Sequence, residues 1–536
     1  GVHRLMSLLM HYLHLTCVSL YVLTLAILAV YGVHRYVQVF LYYRHMAKRP
    51  QPAARFDRLP LVTVQLPMYN ERFVAERIIE AACRLDYPPE LLQIQVLDDS
   101  TDESAELSLA CCKRMRALGH NVEFIHRTDR TGYKAGALEN GLKTATGEFI
   151  VIFDADFVPN PDMIQKSIHF FTDPNVGCVQ TRWEHLNREQ SMLTRCQAIF
   201  LDGHFMIEHT ARNCSGRFIN FNGTAGTWRR KAIAESGGWQ HDTLTEDVDL
   251  SYRAQLRGWN FVFLPHTVSP AELPPEITSF KQQQHRWTKG SVQTAVKLLP
   301  SVMRAPLPWW VKVEAFFHLT SGSVYLPAVV LSLLLFPTWS MDTSLLKSDS
   351  ILVGIIVMSF FGLLTCSAGT FYMVSQQAIG RSGWKTFFMI PMLMAVGMGI
   401  SLINTVAVLE GLFGSKNSEF VRTPKYGTAG GSNQSKDWRK KAGAFRTKLD
   451  FLPFVEIAFG LYMAVCLVVS ILTARNPGSV PFFKDPAPGT IPFVVIFMFG
   501  YLYVGIATLH NKWISARAKP PILTAPVSAE TEPLAA

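Results

Sequence analysis

Five stretches of this chain, residues 15–33, 315–336, 351–374, 451–473 and 491–509, are long, apolar and nearly free of formal charge. Each is long enough to cross a hydrocarbon layer about 30 Å thick, where a backbone must satisfy its own hydrogen bonds and is therefore helical. They divide the chain into a membrane-embedded part and a long water-facing stretch between the first span and the second. A hydrophobic share of 49% against 17% charged fits that division.

Basic residues predict the orientation. Arg35, Arg44, Lys48 and Arg49 follow the first span, so the chain is expected to enter the cytoplasm there. Segment 414–450 carries nine Lys and Arg against Glu419, Asp437 and Asp450, and is expected on the same side. Arg381 and Lys385 place the start of the apolar stretch 387–413 on that side too. That stretch is therefore read as interfacial or re-entrant, interrupted by Pro391, Gly397 and Gly399. The net charge of +10 belongs to these loops, and no basic stripe interleaved with aromatics marks nucleic-acid binding. The nine cysteines form no CxxC or Cys/His cluster and are read as reduced thiols.

Between the first two spans the pattern changes. Residues 61–66, 93–97 and 148–153 read as buried strands, the first ending at Pro67, and residues 72–84 and 104–118 as helices. This alternation predicts an α/β domain with a mostly parallel sheet, whose ligands lie at the carboxyl ends of the strands. The expected organisation is an anchor at 1–45, retained because no cleavage site precedes the soluble part, and a cytoplasmic α/β domain at 55–275. Amphipathic interface helices at 276–312 and a membrane hairpin at 313–375 follow. The interfacial or re-entrant helix at 385–413, the basic cytoplasmic loop at 414–450, a second hairpin at 451–510 and a disordered tail at 511–536 complete it.

Acidic residues gather at the strand ends. Asp154 and Asp156, two apart after an apolar strand, can hold a hard cation between the protein and a diphosphate. Asp98-Asp99 closes another strand. Lys134 opens a helix, where a positive charge suits phosphate. In Thr245-Glu-Asp247, which is also an ordinary helix N-cap pattern, Asp247 is chosen as the base that deprotonates an attacking hydroxyl. Arg286 suits two-point contact with a diphosphate and Trp287 suits stacking on a sugar face.

The order of these motifs resembles glycosyltransferase family 2 in its processive membrane branch, the group of cellulose, chitin and hyaluronan synthases. More narrowly, Gln65-Leu-Pro-Met-Tyr-Asn-Glu71, Gln95-Val-Leu-Asp-Asp-Ser-Thr-Asp102, Gln180-Thr-Arg-Trp183, Asn220-Phe-Asn-Gly-Thr-Ala-Gly226 and Gly238-Trp-Gln-His-Asp-Thr-Leu-Thr-Glu-Asp247 resemble the cellulose synthase-like A proteins, the glucomannan 4-β-mannosyltransferases, and their group C relatives. The resemblance implies a Rossmann-like GT-A domain fused to transmembrane helices. It places Tyr69, Glu71 and Asp98 at the nucleotide, and Lys134, Asp154 and Asp156 at the diphosphate and metal. Trp183, Asn222, Gly223, Thr224 and Trp287 fall at the acceptor end. It also matches Phe420, Thr423 and Lys425 to a gating loop that closes over the donor, with Arg422 where cellulose synthases usually carry Val.

The implied enzyme is an inverting, Mg²⁺- or Mn²⁺-dependent β-glycosyltransferase. It draws on a nucleotide sugar, with GDP-mannose favoured and UDP-glucose the other candidate, and passes a growing β-1,4-linked mannan, glucomannan or glucan across the bilayer. Its expected place is a bacterial inner membrane, or a Golgi or plasma membrane in a eukaryote. The alternative is a non-processive enzyme adding one sugar to a lipid such as ceramide or polyprenyl phosphate.

Overall fold

In the computed structural model, which describes residues 2–340, 350–414, 422–427, 451–475 and 491–517, the water-facing stretch is organised by one seven-stranded sheet. Its strands are β1 (Val62–Met68), β2 (Leu92–Asp98), β3 (Val122–His126), β4 (Phe149–Ile152), β5 (Val176–His185), β6 (Gly226–Arg229) and β7 (Asn260–Ala271). Their order across the sheet is β3-β2-β1-β4-β6-β5-β7. Only β6 runs antiparallel to its neighbours, so the sheet is mostly parallel as expected. β1, β2 and β4 are near-continuous buried runs because helices cover both faces. One apolar cluster packs Ile78, Ile79 and Cys112 under the sheet. A second packs Leu138, Trp228 and Leu250 on the other face.

Two strand boundaries matter for the site. β1 continues through Pro67, which pairs with Leu97 of β2. Its missing N–H is harmless, because Gln65, two residues earlier and facing the same way, is the last residue of β1 that pairs with β4. The chain winds outward from β1 to β3 and then returns to β4 on the opposite side of β1. That reversal opens a crevice between the carboxyl ends of β1 and β4, where an open sheet binds its ligands.

Four helical segments are long and apolar enough to cross a membrane: Leu15–His45, Trp309–Leu335, Leu452–Leu472 and Ile491–Arg517. Ser350–Ala378, a further 29 residues without Asp, Glu, Lys or Arg, packs against the first. The Trp309 turn, expected as a surface helix, opens helix Trp309–Thr320, which is the start of the second of these apolar segments. Helices Gly383–Gly399 and Ser401–Phe413 meet at 45°, a broken span or a re-entrant segment. The break falls at Ile400, directly after Gly399. Gly399 and Gly500 make the close helix crossing here, since a Cβ on Gly399 would lie 2.5 Å from the Gly500 carbonyl oxygen. All nine cysteines are free thiols.

Candidate active site

The crevice holds a cavity of about 170 Å³, and Asp154, Asp156, Lys134, Asp247 and Arg286 all line it. Asp154 follows β4, and its N–H donates to Thr224 Oγ1 at 2.8 Å. Lys134, in the first turn of helix Tyr133–Leu142, reaches across to Asp154 Oδ1 at 2.6 Å and to the Gly223 carbonyl at 2.9 Å. Burial works against the charge on Lys134, but Asp154, Glu246 and Asp247 together outweigh it and hold the lysine pKa above its ordinary value.

Gly223 has φ of +78°, and a Cβ there would lie 3.0 Å from Asp247 Oδ2 and 3.4 Å from Lys134 Nζ. Only glycine gives this turn both its conformation and its clearance. Gln180, fully buried, holds the same turn: its Oε1 accepts from Asn222 N–H at 2.9 Å, and its Nε2 donates to the carbonyls of Thr224 and Ala225 at 3.1 Å. Among the described residues, the three non-glycines with positive φ are Asn70, Tyr133 and Ala225. Asn70 and Tyr133 directly adjoin cavity-lining residues, and Ala225 lies in the turn held by Gln180. Sparsely populated backbone conformations cluster in this way where a site is being shaped.

Asp247 and Glu246 open helix Glu246–Leu256, and both line the cavity. Burial, with the adjacent Glu246 charge adding to it, pushes the Asp247 pKa up to about 7. A carboxylate so placed is matched to proton transfer near neutral pH. Arg286 comes from helix Ile277–Arg304, which packs against the Asp247 helix at Gly290 and Thr245. Burial lowers its pKa, while Glu246, Asp154, Asp247 and Asp156 all favour its charge.

Residues Arg422 to Tyr426 form part of the cavity wall. Lys425 pairs with Asp156, and Arg422 pairs with Glu71 at 2.8 Å and donates to the Tyr69 carbonyl at 3.0 Å. Phe420 lies outside the described residues; Thr423 and Lys425 line the cavity. Tyr69 is backed by Arg130, whose guanidinium carbon sits 3.4 Å from the ring centroid.

Trp183, Asn222, Gly223 and Trp287 also line the cavity, with the two indole ring centroids 6.4 Å apart. Two expected residues sit elsewhere. Thr224 is buried behind Asp154 and does not line the cavity. Asp98 is fully buried, accepting from Ser100 N–H and Oγ at 3.0 and 2.9 Å, with His126 Nδ1 at 3.0 Å. It is Asp99, paired with Arg127, that faces the cavity. Glu246, Arg130 and Gln180 were not singled out from sequence, although Glu246 and Gln180 lie within quoted motifs and Arg130 stands four residues before Lys134.

Among the described residues no three His, Cys, Asp or Glu side chains converge as a metal cage. The Asp154 and Asp156 carboxylates both line the cavity, paired with Lys134 and Lys425, and as hard oxygen donors they would suit a hard cation.

The profile of the family described as "Glycosyltransferase like family 2" matches residues 60–290. Glucomannan 4-beta-mannosyltransferase 2 of Arabidopsis thaliana is 34% identical over 441 residues, 78% of this chain and 78% of that protein. Probable glucomannan 4-beta-mannosyltransferase 6 of Oryza sativa subsp. japonica is 41% identical over 290 residues, 51% of this chain and 50% of that one. Among solved structures, the mannosyltransferase PcManGT from Pyrobaculum calidifontis in complex with GDP-Man and Mn2+ is similar at 19% identity and a TM-score of 0.48. That likeness covers 72% of this chain and 99% of that one.

Proposed function

This chain belongs to glycosyltransferase family 2, in the branch of the glucomannan 4-β-mannosyltransferases, and from that premise we propose that it polymerises mannose from GDP-mannose into a β-1,4-linked mannan or glucomannan at a membrane surface. The observation that carries the reading is the placement of Asp247, its pKa near 7, in one cavity with Lys134, Arg286 and the Asp154/Asp156 pair.

Asp247 takes the proton from the acceptor 4-hydroxyl, and that oxygen forms a bond to the anomeric carbon. The bond from that carbon to the diphosphate breaks on the opposite face, which inverts α to β. Lys134, Lys425 and Arg286 meet the negative charge that develops on the leaving diphosphate. Asp154 and Asp156 would hold a divalent cation, Mg²⁺ or Mn²⁺, which when bound neutralises part of that charge.

Tyr69 and Glu71 face the base and ribose. Asp98 shapes the turn that presents Asp99. Trp183, Trp287 and Asn222 hold the acceptor end, aromatic faces stacking on sugar rings. Segment 422–427 closes over the donor and excludes water. The basic residues around the soluble domain support a cytoplasmic active site, with the polymer leaving through the membrane helices.

The test is a donor screen on detergent-purified protein with Mg²⁺ or Mn²⁺. GDP release with mannanase-sensitive polymer is expected. UDP release with glucanase-sensitive polymer would move the enzyme to glucan synthesis, and a single-sugar glycolipid as sole product would end the polymerase reading.

A further inference from the structure

Where the first membrane helix meets the soluble domain, two recesses join. One, of about 580 Å³, is lined by Arg44, His45, Lys48 and Arg217, with Trp309 and Trp310 at its edge. The other, of about 450 Å³, shares Arg217, Trp309 and Trp310 and continues between the helices along Val33, Val37 and Val313. Its exposed wall is almost wholly apolar, and Val33, Val37 and Val313 are each more than 40% exposed.

The basic end is poorly neutralised. Among the described residues no ion pair involves Arg44 or Lys48. The acidic group nearest Arg217 is Glu314 at 4.0 Å, which already engages Arg212, His34 and Gln38. His45 Nδ1 is buried without a hydrogen-bond partner. Three permanent cations beside an open apolar slot suit a molecule that is anionic at one end and hydrocarbon at the other. A free phosphate or nucleotide would leave the slot exposed. Two tryptophans at the rim sit as indoles do at a headgroup boundary.

We propose that this groove binds one anionic glycerophospholipid from the leaflet on the side of the soluble domain. Arg44, Lys48 and Arg217 hold its phosphate, and an acyl chain lies along Val33, Val37 and Val313. The site is separate from the glycosyl-transfer cavity and does not depend on the donor assignment.

The test is native mass spectrometry of the full, delipidated chain in micelles of a neutral detergent containing equal dioleoylphosphatidylglycerol and dioleoylphosphatidylcholine. At about fivefold per basic residue near a membrane surface, three cations predict a preference on the order of 10²-fold for the anionic lipid. The Arg44→Gln/Lys48→Gln double variant, changed only at exposed and unpaired positions, retains the fold and loses about twenty-fivefold of that preference. Adding Arg217→Gln removes the rest. Brominated-chain phosphatidylglycerol quenches Trp309 and Trp310, which Trp309→Phe/Trp310→Phe identifies by loss of the quenching. Equal retention of the two lipids, an unchanged preference in the double variant, or full displacement by millimolar inorganic phosphate would each overturn the proposal.

Discussion

Asp247 and Glu246 are consecutive carboxylates in one cavity, and burial, with their repulsion added, sets how the proposed base behaves with pH. The base acts as the carboxylate, and burial and Glu246 hold its pKa near 7. Activity at limiting substrate is therefore expected to rise with pH up to about 7 and level off above it, read from kcat/KM against pH. Asp247→Asn removes the base and is expected to lower kcat about 10²–10⁴-fold with donor binding retained, measured by turnover and donor titration. Glu246→Gln removes a like charge, lowers the Asp247 pKa and moves the acidic limb of the profile to lower pH. A limb that stayed in place would mean that Glu246 does not tune Asp247. At this scale sequence showed which chemical types stand at strand and helix ends, because metal, phosphate and proton transfer demand them. It did not show which of two adjacent acids turns inward: Asp98 was expected at the nucleotide, yet Asp99 faces the cavity, since the last residue of β2 points into contacts with Ser100 and His126.

Helices and loops hold these groups in register through a few close contacts. Gly290 lies four residues after Arg286, on the same helical face. A Cβ there would come within 2.5 Å of Thr245 Cγ2, at the start of the helix bearing Asp247. Gly290→Ala must therefore push the two helices apart. Overpacking costs about 1–3 kcal/mol of stability, and a displacement near 1 Å costs up to about 10²-fold in rate. The expected outcome is a kcat loss well beyond the fall in thermal stability, measured on the same preparation. Arg422 fastens segment 422–427 through Glu71 and the Tyr69 carbonyl. A hydrogen bond to a charged group contributes about 1.5–3 kcal/mol, so Arg422→Val is expected to raise the donor KM about tenfold and leave the pH profile in place. β1, β2 and β4 were legible as apolar runs buried on both faces. The antiparallel insertion of β6 was not, because four residues whose partners lie tens of positions away carry no local signature.

Across the molecule, a polar chain, buried at Gln38, Glu314 and Arg212, links the membrane helices to the cavity. Glu314, in the second span, is bonded to His34 and Gln38 of the first and to Arg212 of the soluble domain at 2.8 Å. Arg212 reaches Glu208 at 3.3 Å, Glu208 lies 2.9 Å from His204, and His204 lies 2.9 Å from Asn222, which lines the cavity. The span from Gly203 to His209 is a π-helix, whose wider turn departs from regular α geometry at the point where His204 meets Asn222. From sequence the apolar spans and basic loops were readable, but Glu314, His34 and Arg212 stood as isolated polar residues, since nothing local pairs positions more than a hundred residues apart. Arg212 is 2% exposed and cannot be hydrated in place of a lost partner. Removing one member of a buried ion pair costs up to about 3–5 kcal/mol, because the charge left behind is not solvated, and Arg212 would keep only Glu208, at 3.3 Å, as a partner. Glu314→Met is therefore expected to lower the unfolding temperature sharply in detergent. Arg212→Met added to it removes the stranded charge and restores part of the loss, although the double variant lacks one more native contact. That reversal distinguishes a stranded-charge penalty from simple loss of packing, for which the second substitution would add to the damage.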